Sequence, residues 1–445
     1  MKRVIAATLM LTLVITTGAP IRSALSQTQP AAAPPLPWES KLLRSEHAIP
    51  GRYIVVLDDA VQAEAIEPLA HDLARVFVGR VLHVYTDAIK GFAVEMAEFN
   101  AEALSYQPLV SYVVEDAEGS GDGQATGSQA AQQQADDESE DGLVSAQSVQ
   151  EGVWWGLDRI DERQRPLDGS FNYRSTGRGV RLYVLDSGVR ITHSEFGGRA
   201  VVGFDAVDDD NDPDTDSNTD GRGRDGLDCH GHGTNVASIA AGRTYGVAKE
   251  VRVRSVRVLR CNNRGSVSDF IAGVNWVTRH GVRPAVVNMS LVAPAHPALD
   301  AAVRRSIARG FTYVVCAGND GRDARRTSPA RVEQAITVGA TDRNDARADF
   351  APPLVASNFG PALDLFAPGL DIRGASHRND RATADFSGTS QAAPHVAGAA
   401  AMYLQRNPAA RPDRVELVLV RRATRGVVRR PGQGSPNLLL YTRGL

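Results

Sequence analysis

From residue 151 to the C-terminus, short apolar runs alternate with longer stretches of helical spacing, and few architectures can absorb that alternation. The runs 180–185, 251–258, 285–289, 312–315 and 335–338 are rich in valine and almost continuously apolar, as strands buried on both faces are. Segments 234–241, 268–279, 298–309 and 392–405 read as helices. The pattern predicts an α/β fold, a doubly wound and mostly parallel sheet with helices on both faces. Such sheets place their sites at the carboxyl ends of strands, so the residues just after each run are the ones to inspect.

Three segments at such positions carry chemistry. Val184-Leu185-Asp186-Ser187-Gly188 brings a carboxylate to a strand end. His232-Gly233-Thr234-Asn235 and Gly388-Thr389-Ser390-Gln391 bring an imidazole and a hydroxyl to the starts of Ala-rich helices. Singly, Asp186 and Ser390 are ordinary turn and cap residues. Jointly they are the parts of an activated nucleophile. A serine hydroxyl needs a neutral imidazole to take its proton, and the imidazole needs a carboxylate to hold its tautomer. A helix N-terminus at Ser390 adds N–H donors near a developing oxyanion. Pro394 is expected in the first helical turn, where a missing N–H is tolerated. Asn319, directly after the strand at 312–315, is either a turn residue or an amide donor for that oxyanion.

The remaining chain is organised around this unit. Residues 1–26 read as a signal peptide, with Lys2 and Arg3 before an apolar run and small residues at a cleavage site. Residues 27–44 form a flexible leader. Residues 45–116 are a small α+β domain of ferredoxin-like order β-α-β-β-α-β, with Leu69, Leu73 and Val76 on one face of its first helix. Residues 117–150, rich in Gly, Gln and acid, cannot bury a core and form a linker, and residues 151–445 are the large domain. The net charge of -3 argues against a nucleic-acid partner. No stretch after the signal is long enough to cross a membrane, so a secreted product is expected, extracellular or periplasmic, without a membrane span and monomeric.

The three segments with Asn319 resemble the subtilisin-like serine proteases, the proteinase K group in particular. Further matching stretches are Tyr245-Gly246-Val247-Ala248, Val256-Arg257-Val258-Leu259, Thr337-Val338-Gly339-Ala340 and Phe366-Ala367-Pro368-Gly369. The resemblance implies Asp186, His232 and Ser390 as a catalytic triad and Asn319 as oxyanion donor. It implies substrate contacts at Gly265, Ser290, Leu291, Val292, Ala293, Ala317 and Gly318. It also implies a Cys229–Cys261 disulfide, with Cys316 left as a buried small hydrophobe. Ile49-Pro50-Gly51-Arg52-Tyr53, Lys90-Gly91-Phe92-Ala93 and Val113-Val114-Glu115-Asp116 make the small domain similar to the family's inhibitor-type propeptide, which assists folding and blocks the cleft.

Departures from the family pattern concern specificity. Asn235 stands where a second His is frequent, and Gln391 stands where Met is usual. Val292 and Ala293 replace a glycine pair. The added bulk predicts a preference for small residues before the scissile bond, unless Val292 points away. The chemistry requires no cofactor. Asp208, Asp210, Asp212, Asp214 and Asp216 read either as a structural calcium site or as a solvated acidic loop, without the Gly and Glu of an EF-hand. The expected function is a secreted endopeptidase that hydrolyses peptide bonds through an acyl-enzyme, made as a self-processing zymogen with polypeptide substrates and its own propeptide as partners. The alternative is a secreted binding or regulatory protein that cuts only itself. Maturation is expected near 115–120 or near 144–152.

Overall fold

The structure is a computed structural model and describes residues 40–126, 148–207 and 227–445. Its larger sheet runs, in spatial order, through Ala200–Asp205, Arg252–Arg257, Arg181–Asp186, Ala285–Met289, Thr312–Cys316, Ile336–Thr341, Leu365–Pro368, Leu438–Leu439 and Thr424–Arg425. All neighbouring pairs are parallel except the last. This is the expected α/β architecture. Arg181–Asp186 comes first in the chain yet lies inside the sheet, with later strands winding away on both sides. Asp186 therefore ends a strand at the topological switch point, where α/β sheets open a crevice.

The helices His232–Ala241, Val267–His280, Pro297–Ala308 and Thr389–Arg406 form where expected, each within a few residues. Thr389–Arg406 is buried on all sides from Thr389 to Met402, because its run of Ala and Gly lets neighbouring elements approach closely. It packs on Thr312–Cys316 and Ile336–Thr341, which points its N-terminus at the sheet's carboxyl edge. Pro394 is its sixth residue rather than a first-turn residue. The missing N–H frees the Ser390 carbonyl, which instead accepts a hydrogen bond from Ser290 Oγ at 2.9 Å. The helix cap is Gly388, not Ser390.

The small domain follows the expected order: Ala48–Leu57, Ala63–Val76, Arg80–Tyr85, Gly91–Glu95, Glu98–Ser105 and Val110–Gly121. Ile66, Ala70 and Ala74 form the buried stripe of its first helix, with Leu69 and Leu73 half-buried beside it. Val76 is 71% exposed, so the buried face lies one position round from the expected one. Strand alternation divides the sheet between two partners. Tyr53, Val55 and Leu57 face the domain's own helices. Ile54 and Val56 face the large domain and share a core with Phe270, Ile271, Ala298 and Leu299.

Polar contacts reinforce that shared face. The Asp116 carboxylate accepts from Ser268 N at 3.0 Å and Ser268 Oγ at 2.6 Å, satisfying donors in the first turn of Val267–His280. Asn275 Oδ1 accepts from the backbone N–H groups of Thr86, Asp87 and Ala88. His296 Nε2 donates to the Glu115 carbonyl at 3.0 Å. The strand starting at Val110 does not end at Asp116: it continues to Gly121 and leaves its own sheet.

Candidate active site

The extended tail beyond Asp116 lies between two strands of the large domain. Glu118, Gly119 and Ser120 pair antiparallel with Ser266, Gly265 and Arg264. On the other side Ser120 and Gly121 pair with Val292 and Leu291. Gln124–Ala125 then pairs with Phe386 and Ser387. The residues read as linker from 117 to 126 are thus a β-strand in a cleft, because a cleft edge supplies the ladder partners they could not find alone. Of the expected contact residues, Gly265, Ser290, Leu291 and Val292 touch this tail. Ala293 pairs with Ser328 instead. Ala317 donates to Val338 O and accepts from Asn358 Nδ2, so both its backbone groups are engaged elsewhere.

The tail delivers one carbonyl to a pair of donors. Asp122 O accepts from Asn319 Nδ2 at 2.8 Å and from Ser390 N at 3.3 Å. Asn319 Oδ1 accepts from Thr389 N at 2.9 Å, which fixes the amide's orientation and aims its NH₂ at the carbonyl. Gly318 (φ 103°) turns the chain into this position, a left-handed conformation that costs glycine little. Asp122 N donates to Ser290 O at 3.2 Å.

Asp186, His232 and Ser390 come together around the next bond. His232 Nδ1 donates to Asp186 Oδ1 at 2.7 Å, and both side chains are fully buried. Burial disfavours the imidazolium, but the adjoining Asp186 carboxylate outweighs it and holds the His232 pKa above its ordinary value. His232 Nε2 has no hydrogen-bond partner and faces Gly123, where an added Cβ would lie 2.8 Å away. Ser390 Oγ donates to Ser290 O at 3.0 Å.

Further residues support the site. Asp228 accepts from the N–H groups of His230, Gly231 and Thr234 and from Thr234 Oγ1, capping the helix that starts at His232. The following Cys229 is bonded to Cys261, as the family resemblance implied. Gly233 lies so close to Gly188 O that a Cβ there would sit at 2.1 Å. Thr389 Oγ1 meets the Asp122 carboxyl at 2.5 Å. Burial pushes the Asp122 pKa up to about 7, against the Thr389 hydrogen bond that lowers it. Cys316, buried as expected, lies against the same carboxyl, and burial raises its thiol pKa. Only an acid before the donors, inside a low-complexity stretch, could have hinted at Asp122.

Residues 177–437 match the Subtilase family, and residues 52–119 match the Peptidase inhibitor I9 family. The chain belongs to the subtilase family. It is 43% identical to an extracellular serine proteinase of Thermus sp. (strain Rt41A), over 96% of this chain and 97% of that one. It is 39% identical to alkaline serine exoprotease A of Vibrio alginolyticus, over 92% of this chain and 70% of that one. A crystal structure of a cold-adapted subtilisin-like serine proteinase superposes with a TM-score of 0.60 at 44% identity, covering 66% of this chain and all of that one. As a subtilase with an inhibitor-type prodomain, the protein is a serine protease made as a zymogen.

Asp208, Asp210, Asp212, Asp214 and Asp216 lie outside the described residues. Among the described residues no group of three acids, histidines or cysteines could hold a metal, and no helix is long and apolar enough to cross a membrane.

Proposed function

We propose that this subtilase is a secreted serine endopeptidase that first cuts its own chain between Asp122 and Gly123 and then hydrolyses other polypeptides. The observation that carries the reading is the Asp122 carbonyl held by Asn319 Nδ2 and Ser390 N while the chain runs on through Gly123. Ser390 Oγ attacks the Asp122 carbonyl carbon and His232 Nε2 takes the hydroxyl proton. Asp186 holds the imidazole's tautomer and balances the charge it gains. The oxyanion is stabilised by the two donors already on the carbonyl. Collapse breaks the C–N bond, His232 returns the proton to the Gly123 nitrogen, and water releases Asp122 from the acyl-enzyme by the same path reversed. The bond lies just beyond the first of the two stretches in which maturation was expected. Secretion is supported by the N-terminal signal pattern, by the disulfide and by the extracellular Thermus relative.

The test compares the full chain with Ser390→Ala. The parent should separate into two polypeptides ending at Asp122 and starting at Gly123, and should hydrolyse an added peptide spanning Glu118 to Thr126 of its own sequence. Ser390→Ala should stay intact and inert. Termini at 115–120 or 144–152 would refute the assigned bond, and processing without hydrolysis of that peptide would support the self-limited regulatory protein instead.

A further inference from the structure

The seated tail has glycine at the fourth and second positions before the assigned bond and at the first position after it, and at each one the protease fills the space a side chain needs. A Cβ on Gly119 would lie 2.6 Å from Val292 O and 2.5 Å from the Phe270 ring. The first is backbone of the strand that pairs with the tail, and the second belongs to the large domain's own helix Val267–His280 and stands over Gly265, where an added Cβ would lie 2.8 Å from it. A Cβ on Gly121 would meet Asn263 Oδ1 at 2.3 Å. Asn263 adopts φ 62°, donates through Nδ2 to Gly121 O at 3.1 Å and stands two residues after the disulfide-bonded Cys261. A Cβ on Gly123 would meet Gln391 Oε1 at 2.7 Å and His232 Nε2 at 2.8 Å. Gln391 is fully buried, its Oε1 has no partner, and its Nε2 donates to Asn235 Oδ1 at 3.4 Å. The intervening Ser120 and Asp122 carry side chains that the cleft accommodates.

We infer that Phe270, Asn263 and Gln391 make this enzyme selective for extended, glycine-rich polypeptides of the pattern Gly-Xaa-Gly-Xaa-Gly, cut before the last glycine. The inference rests on the proposed endopeptidase and its assigned bond. The two residues that depart from the family pattern next to the nucleophile, Asn235 and Gln391, then act together at the leaving-group side. Asn235 Nδ2 is committed to Ala384 O, which leaves its Oδ1 to hold the Gln391 amide over the first residue after the bond.

The test uses the processed enzyme and fluorogenic peptides spanning Glu118 to Thr126 of its own sequence. Replacing any one of the three glycines by Ala should lower kcat/KM about tenfold or more, the range for one excess methyl in a filled subsite. Replacing the residue equivalent to Ser120 by Ala should change it little. Asn263→Gly, which keeps the positive φ, should restore cleavage of the peptide with Ala at the second position before the bond and of no other. Gln391→Ala should partly restore the peptide with Ala after the bond. Alanine peptides cleaved within about twofold of the parent would overturn the selectivity and leave the protease intact. Failure to cleave any of the peptides, the parent sequence included, would overturn both.

Discussion

At the scale of the residue, the site depends on groups whose partners fix their direction. Asn319 is the clearest case: its carbonyl oxygen is held by Thr389 N, so its NH₂ can only face the oxyanion position. Asn319→Ala should lower kcat by about 10²–10³ with a smaller change in KM, the range known for subtilisin's own oxyanion amide; single-turnover kinetics on a peptide substrate checks it. An unchanged kcat would make Asn319 the turn residue that its Asn-Asp-Gly setting equally suggested. The candidate residues His232 and Asn319 were legible because their neighbours are restrictive: Gly233 is required by contact and Gly318 by φ. Asp122, Asp228 and Asn263 were not, since an acid in a flexible-looking stretch or an Asn in a loop looks the same whether or not a site surrounds it.

At the scale of the element, helix ends do most of the positioning. His232 and Ser390 occupy the first turns of buried helices, and Val267–His280 presents its own first turn to Asp116. Leaving a buried first-turn donor without its acceptor costs about 1–2 kcal/mol. Asp116→Ala should therefore destabilise the intact Ser390→Ala zymogen by about that amount in denaturant unfolding. The processed protease, which has lost residue 116, should unfold alike whether it comes from the parent or from Asp116→Ala. Strand and helix positions in the large domain followed from apolar runs and spacing. The tail from Ala117 to Ala125 escaped that reading because its pairing partners lie far along the chain, at 264–266, 291–292 and 386–387. Ladder hydrogen bonds between backbones leave no hydrophobic pattern.

At the scale of the molecule, the prodomain closes the cleft through a shared apolar core and an acid held in a low-dielectric pocket. Burial raises Asp122 from its ordinary 3.8 to about 7. Between those values the seated tail keeps a proton that the unfolded chain has released. Its contribution is greatest at low pH and falls as pH rises toward about 7. Asp116, raised to about 6 by burial, acts in the same direction. In the Ser390→Ala background, Asp122→Asn should lessen the fall in Tm between about pH 4 and pH 7; an unchanged slope would remove Asp122 from the linkage. The amino-acid sequence by itself determined the α/β fold and the β-α-β-β-α-β prodomain, because hydrophobic periodicity is local, and its resemblance to the subtilases proposed Asp186, His232, Ser390 and Asn319 as the site. Only the tertiary structure decided which bond faces Ser390, which side chains fill the cleft and how the prodomain is held, because those depend on non-local backbone pairing and on burial, which no local stretch of residues records.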